Sequence, residues 1–262
     1  MIRRIEDIGL RFLSLLSRLR PLRALCLIIA SLVYFSDFIK LREIQIVNNF
    51  LQAKKGEKLL DIGCGWGVYG AWLARKGCQV YELDLGGRGI KLAKAISTDT
   101  CSQQIGDATA LPYRPNAFDK CTCICALEHF VDDEKALTEM NKVLKSNAIA
   151  VLSVDSFSYR GIKLKSKDIH KRMYHVVNYY SYHQLENKLQ NAGFIVKEKK
   201  FLFNSPIAAY FFDLIDVKLR GGYISRFLFP IAYSLSILSD HLLGHQNEGY
   251  ILVIKAQKVK NV

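Results

Sequence analysis

The sequence contains no internal repeat and no low-complexity tract. Hydrophobic residues make up 50% of the chain and charged residues 23%, proportions that exclude a disordered protein and indicate a globular one. A chain of 262 residues can bury one sizeable core together with a small appended element.

Acidic residues are scarce relative to basic ones, with 24 Asp and Glu against 37 Lys and Arg and a formal net charge of +13. This excess favours an anionic partner, which could be a nucleic acid, a phosphorylated substrate or an acidic membrane surface. Charge alone does not choose among these partners, and an ordinary basic globular protein has the same composition.

A disulfide framework is not indicated, because the 7 cysteines are odd in number and none forms a C-x-x-C motif. Cys121, Cys123 and Cys125 alternate within an apolar run, so on a strand they would share one face. Sulfurs at such positions splay apart, and we therefore predict buried thiols and no metal site. Buried free thiols favour a cytoplasmic location.

A long hydrophobic run is also missing near the N-terminus, since the apolar stretch 24–35 is shorter than the ~20 residues of a spanning helix. No A-x-A cleavage pattern follows it, and Glu6 and Asp7 argue against a transit peptide. We expect residues 1–38 to form a basic, apolar helical segment. It either lies peripherally on the inner membrane surface, caps the substrate site, or packs on the domain.

From residue 39 to residue 262 the pattern alternates between helical and strand periods, which predicts an α/β domain with a mostly parallel sheet covered on both faces. The predicted strands are 58–62, 79–83, 102–105, 118–125, 148–154, 194–201 and 250–256, and the predicted helices are 39–53, 69–76, 88–96, 134–144 and 182–192. Segment 202–249 is long and strongly apolar, and we predict that it forms a hydrophobic, lid-like helical insertion. The alternative is a helical pair that only extends the core.

A glycine-rich stretch, Asp61-Ile62-Gly63-Cys64-Gly65-Trp66-Gly67, follows the first predicted strand. Glycines here let the backbone turn tightly and approach a ligand closely. Gly65, Gly67 and Gly70 formally satisfy a dinucleotide fingerprint. Counted from Gly63, however, position 68 is valine, so the third glycine of a pyrophosphate loop is displaced.

Two further carboxylates end the next strands. Asp84 closes the second strand, where it could accept hydrogen bonds from both hydroxyls of a ribose. Asp107, in the segment Gly106-Asp107-Ala108, closes the third strand, where it could accept from an adenine amino group. This spacing points to an adenosine-containing ligand.

The motifs D-x-G-C-G-x-G, GDA…LP…FD at 106–119, and LEH at 127–129 occur in an order that resembles the class I S-adenosylmethionine-dependent methyltransferases, specifically the group related to ubiquinone and menaquinone methyltransferases. The resemblance implies a Rossmann-like seven-stranded sheet with an antiparallel last strand and S-adenosyl-L-methionine as cofactor. Its cofactor-binding residues here would be Asp61, Gly63, Cys64, Gly65, Gly67, Asp84, Leu85, Asp107 and Ala108.

Methyl transfer needs a general base only when the acceptor must lose a proton, and His129 and then His175 are the candidate bases. The apolar insertion and a basic loop at 160–172 favour a small lipophilic or lipid-linked acceptor. The insertion would hold its apolar tail, and the loop would contact either its anionic head group or the membrane surface.

Three other functions stay open. An RNA methyltransferase suits the charge, but Asn-Pro-Pro-Tyr is missing after strand four and no RNA-binding module is recognisable. A nicotinamide-dependent oxidoreductase and a non-catalytic cofactor-binding protein are the others.

Overall fold

A computed structural model describes residues 23–35, 37–219 and 223–259. Within these ranges seven strands form one sheet. They are β1 Lys58–Ile62, β2 Gln79–Asp84, β3 Cys101–Ile105, β4 Phe118–Ile124, β5 Leu144–Asp155, β6 Phe194–Leu202 and β7 Ile251–Lys258. Their order across the sheet is β3-β2-β1-β4-β5-β7-β6.

Helices lie between and beside these strands. They are α1 Arg23–Phe35, α2 Phe38–Leu51, α3 Val68–Arg75, α4 Gly87–Ile96, α5 Asp133–Val143, α6 Leu164–Tyr174, α7 Tyr182–Asn191, α8 Pro206–Phe212 and α9 Tyr223–Leu243. A single helical turn, Leu127–His129, follows β4, and a π-helical turn, Asp213–Lys218, follows α8.

Strand direction follows the predicted pattern. β1 pairs parallel with β2 and β4, β2 with β3, and β4 with β5, whereas β7 pairs antiparallel with both β5 and β6. The predicted Rossmann-like sheet with an antiparallel last strand is therefore confirmed. Because parallel strands end at the same edge, the carboxyl ends of β1 to β5 meet along one side of the sheet.

Both faces of the sheet are covered, because the strands alternate apolar side chains between two buried clusters. Leu60 belongs to the cluster beneath α5 and α7, and its neighbour Leu59 belongs to the cluster beneath α2, α3 and α8. The first cluster includes Leu137, Met140, Leu185 and Leu189, and the second includes Val47, Leu73 and Phe212.

The N-terminal helix packs on the domain over the part that the structure describes. α1 buries Cys26, Leu27 and Ala30 against Ala71 of α3 and Leu92 of α4. Positions 1–22 of the predicted N-terminal segment lie outside the described residues, so its membrane contact stays a prediction. No helix in the described ranges is long and apolar enough to cross a membrane.

The described part of segment 202–249 contains helices α8 and α9, as predicted, and the Asp240 carboxylate connects them to each other. Asp240 of α9 accepts hydrogen bonds from the backbone amides of Phe203 and Asn204, at 2.8 and 3.1 Å, and from the Ser205 hydroxyl at 2.6 Å. Arg42 of α2 donates to the same carboxylate at 2.7 Å. Asp240 thus fixes the start of the insertion to its last helix and both to α2.

Two sequence predictions were wrong. The predicted basic loop at 160–172 contains most of helix α6, whose exposed cations Lys165, Lys171 and Arg172 lie in solvent. Cys125 does not continue β4, because its φ of 45° turns the chain after Ile124. Its thiol therefore meets Glu43 of α2, while Cys121 and Cys123 are buried in strand β4 as expected.

The Asp240 ion pair supplies a stability test. We expect Asp240→Ala to lower the free energy of unfolding by about 3–5 kcal/mol, because it leaves the Arg42 guanidinium buried without its partner. The matched control is Lys145→Gln, which breaks the more exposed Lys145–Asp119 pair and should cost at most about 1 kcal/mol. Urea unfolding followed by circular dichroism measures both, and equal losses would contradict the role given to Asp240.

Candidate cofactor and acceptor site

The glycine loop 63–67 joins β1 to α3 and is held against β2. The amides of Gly63 and Cys64 donate to the Leu83 carbonyl at 2.8 and 3.2 Å. Gly65 has a φ of 54°, which favours glycine, and a Cβ built there would meet no atom within 4 Å. A Cβ on Gly63 would lie 2.4 Å from that of Ala126, so this glycine lets the loop pack against the segment that follows β4.

Asp84, the last residue of β2, stands beside this loop. Its Oδ2 accepts a hydrogen bond from the Gly65 amide at 2.8 Å and its Oδ1 accepts one from the Gly86 amide at 2.6 Å. Each carboxylate oxygen can accept more than one hydrogen bond. The side chain is thus fixed in orientation while it keeps acceptor capacity for a ligand.

Asp61 lies deeper than Asp84. It is 4% exposed, and its Oδ1 accepts a hydrogen bond from the Thr122 hydroxyl of β4 at 2.7 Å. Burial raises the pKa of Asp61 to about 7, because the charged form loses its hydration. The contact braces β1 against β4 where the glycine loop begins.

Asp107 follows β3 and is exposed. Its Oδ1 accepts hydrogen bonds from the Thr109 amide and hydroxyl, both at 2.8 Å, which lower the pKa of this carboxyl. Between Asp84 and Asp107 the side chains of Leu85 and Ile105 are 74% and 56% exposed, which is unusual for large apolar groups. They leave an apolar edge flanked by two carboxylates.

This donor set suits S-adenosyl-L-methionine. The open backbone at Gly65, the oriented Asp84 carboxylate and the apolar edge near Asp107 match a charged amino acid, a ribose and an adenine in turn. Ala108 is buried beside this edge, and burial raises the pKa of the Cys64 thiol, so that side chain is neutral. That the nine predicted residues bind the cofactor stays a prediction.

A second group of acidic side chains lies at the carboxyl ends of β4 and β5. Glu128 is 0% exposed, and neither of its oxygens has a hydrogen-bond partner among the described residues. Asp155 ends β5 and is 7% exposed. One oxygen of each carboxylate and the Cys125 sulfur lie within 4.8 Å of one another. The sequence predicted no metal site, and three ligand atoms nevertheless converge here.

Glu43 of α2 and Asp216 of the insertion extend this acidic group. Glu43 is fully buried, accepts hydrogen bonds from Cys125 at 2.8 Å and from Ser153, and pairs with the Lys40 ammonium at 2.9 Å. Asp216 accepts from the Tyr174 hydroxyl at 2.6 Å. We call Glu43, Glu128, Asp155 and Asp216 the acidic cluster.

Burial dominates the electrostatics of the acidic cluster. It raises the pKa of Glu128 to about 8, that of Asp216 to about 7 and that of Asp155 well above its usual range. His170 lies 3.5 Å from Asp216 and 3.8 Å from Asp155 through Nε2. Burial lowers the pKa of His170 to about 4, so this ring adds no positive charge near neutral pH.

The two predicted bases lie close together at the protein surface. His129 and His175 are both exposed, and His129 Nδ1 lies 3.4 Å from the His175 backbone carbonyl. Burial of part of the ring lowers the pKa of His129, which leaves it neutral and able to accept a proton. Their imidazoles do not interact through a hydrogen bond in this arrangement, and a catalytic role for either stays a prediction.

Asp155, His170 and Asp216 were not among the site residues predicted from the sequence. Asp155 could have been found, because it ends a buried strand at the same sheet edge as Asp84. His170 lies in a helix that was predicted as loop, and Asp216 lies 61 residues beyond Asp155 in the sequence. Only the packing of the insertion against α6 brings these two side chains together.

Comparisons with known proteins agree with this geometry. Residues 60–152 match the sequence model of a family described as "Methyltransferase domain". The chain is 31% identical over 103 residues to a ubiquinone biosynthesis O-methyltransferase of Idiomarina loihiensis, covering 38% of this chain and 42% of that one. It is 31% identical over 123 residues to norajmaline N-methyltransferase of Rauvolfia serpentina, covering 45% and 41%.

Among solved structures, a putative sarcosine dimethylglycine methyltransferase from Galdieria sulphuraria superposes with a TM-score of 0.62 at 16% identity, over 85% of this chain and 88% of that one. The matches to the two curated relatives span about two fifths of the relatives' length. The predicted resemblance to S-adenosylmethionine-dependent methyltransferases is confirmed over residues 60–152, and the solved structure shows the same fold.

The position of Asp84 gives a direct test of the cofactor site. We expect Asp84→Ala to weaken binding of S-adenosylhomocysteine by about 1.5–3 kcal/mol, the range for lost hydrogen bonds to a charged group. Asp84→Asn should lose less, because one amide oxygen still accepts a hydrogen bond. The control is Asp99→Ala, at an exposed aspartate before β3. Calorimetry that shows the same affinity in a folded Asp84→Ala protein would remove Asp84 from the site.

Proposed function

We propose that the protein is an S-adenosylmethionine-dependent methyltransferase that transfers a methyl group to a small, lipophilic or lipid-linked acceptor. One observation carries this proposal: the glycine loop that suits the cofactor is packed directly against the segment that leads from β4 to Glu128. The glycine loop and the segment that leads to the buried Glu128 carboxylate thus meet at Gly63 and Ala126.

The cofactor supplies an electrophilic methyl group when it is bound. The chain's own task is to hold the acceptor in line with that methyl group and to exclude water. The acidic cluster lies where β4 and β5 end, and the insertion closes its far side through Asp216. His129 is the first candidate to take a proton from the acceptor and His175 the second.

A lipophilic acceptor is supported by the apolar surface of the insertion. Ile231, Leu235, Leu238 and Leu242 of α9 are between 42% and 67% exposed. Their spacing of four, three and four residues puts them on one helix face. Such a face suits contact with a lipid or a membrane surface, and the net charge of +13 suits an anionic one. A cytoplasmic protein at the periphery of the inner membrane fits both features.

Labelled product identifies the acceptor class. Purified protein is given S-adenosylmethionine with a labelled methyl group and an extract of its source cells, and the products are divided into organic-soluble, RNA and protein fractions. We expect protein-dependent label in the organic-soluble fraction. Label in RNA would support the RNA methyltransferase alternative, and no label in any fraction, with cofactor bound, would contradict the proposed activity.

Liposome flotation tests the membrane surface. We expect the double substitution Leu238→Glu and Leu242→Glu to lower association with anionic liposomes about tenfold or more. The reason is that it removes two exposed apolar side chains that would be buried in the bilayer. Binding of S-adenosylhomocysteine should not change. The control is Ile195→Glu, at a similarly exposed apolar position on β6. Equal flotation of wild type and the double variant would exclude α9 as a membrane surface.

A further inference from the structure

The unusual feature of the acceptor site is its excess of buried carboxylates. Charges that leave water must be paired or neutralised, because their hydration is lost. Lys40 pairs with Glu43 at 2.9 Å. Glu128, by contrast, is fully buried with both oxygens unpartnered among the described residues, and the Oδ2 atom of Asp216 is unpartnered within the same ranges. His170 Nε2 lies 3.5 Å from Asp216 Oδ2, and no side chain of the described residues donates a hydrogen bond to the Glu128 oxygens.

We infer that the acceptor molecule carries a protonated amine, and that Glu128 and Asp155 bind this ammonium group beside the position of methyl transfer. This inference rests on the proposed function, which supplies the acceptor. An alkylammonium has three N–H donors and no acceptor, which complements the carboxylate oxygens of Glu128 and Asp155.

The distances suit an N–H donor. Three atoms that lie within 4.8 Å of one another can all be reached from a central point at most about 2.8 Å away, which is an ordinary N–H···O distance. The ammonium nitrogen would therefore contact Glu128 and Asp155 together. The Cys125 thiol at the third corner already donates to Glu43, so it is protonated and is not a thiolate ligand for a metal ion.

Aromatic rings pack around His170, whose Nε2 lies within 3.8 Å of Asp155 and 3.5 Å of Asp216. The rings of Tyr174 and Phe157 lie 4.7 and 4.4 Å from the His170 ring, and the Tyr179 ring lies 4.9 Å from that of Phe157. Aromatic faces attract an alkylammonium through their quadrupoles and contact its methylene groups. A hard metal ion prefers oxygen ligands and water in these positions.

Burial also makes the ionisation of the site sensitive to a bound cation. It raises the pKa of Glu128 to about 8, that of Asp216 to about 7 and that of Asp155 well above its usual range, so most of these carboxyls hold a proton near pH 7 when nothing is bound. An ammonium group restores the ionised form of at least one carboxyl by direct pairing.

The test uses the labelled product from source-cell extract. After the reaction with full-length protein, the mixture is extracted with organic solvent at about pH 12, above the pKa of an alkylammonium, and separately at about pH 3. We expect the label to enter the organic solvent only at the higher pH. Label that extracts equally at both values, or only at the lower one, would overturn the inference while the methyltransferase activity stands. No label at all would overturn the proposed function itself.

Variants connect the amine to the acidic cluster. Glu128→Gln and Asp155→Asn keep the size of each side chain, and each should lower kcat/KM for the labelled acceptor roughly tenfold or more, while affinity for S-adenosylhomocysteine stays within about twofold. Glu198→Gln, which removes an exposed carboxylate on β6, is the matched control. If EDTA abolishes activity and added Zn²⁺ or Mg²⁺ restores it, the cation at the site is a metal and the inference is wrong. Unchanged kcat/KM in both folded variants would equally overturn it.

Discussion

Parallel pairing of β1 to β5 is the constraint on which the site depends. Because these strands run in the same direction, their carboxyl ends deliver the glycine loop, Asp84, Asp107, Glu128 and Asp155 to one edge of the sheet. These residues lie in different loops, so they are far apart in the sequence and come together only in the folded protein. A change in the direction of one strand would move its side chain to the opposite edge.

The two halves of this edge differ in how they treat charge. On the cofactor side Asp84 and Asp107 accept backbone amide hydrogen bonds, which lower the pKa of the Asp107 carboxyl. On the acceptor side burial dominates, and Glu128 and Asp216 hold their protons to higher pH. The first arrangement suits hydroxyl and amino groups of a ligand, and the second suits a ligand that brings its own positive charge.

Sequence reasoning was strongest where local chemistry decides the structure. Strand β1 and the loop that follows it were predicted at their observed positions, because an apolar run that ends in spaced glycines has few alternative structures. Helix α6 was missed because its residues, such as Lys165 and Arg172, lack an apolar period and Lys163 provides no side-chain cap. Glu43 and Asp216 could not be placed with Glu128 and Asp155 from the sequence, since only packing brings α2 and the insertion to the ends of β4 and β5.

The choice between an adenosyl-methionine site and a dinucleotide site is tested most directly by calorimetry on the wild-type protein with S-adenosylhomocysteine and, separately, with NADH. The geometry around Gly65 and Asp84 predicts saturable binding of S-adenosylhomocysteine and no binding of NADH. Binding of NADH with no heat from S-adenosylhomocysteine would contradict the cofactor site, and with it the methyltransferase function.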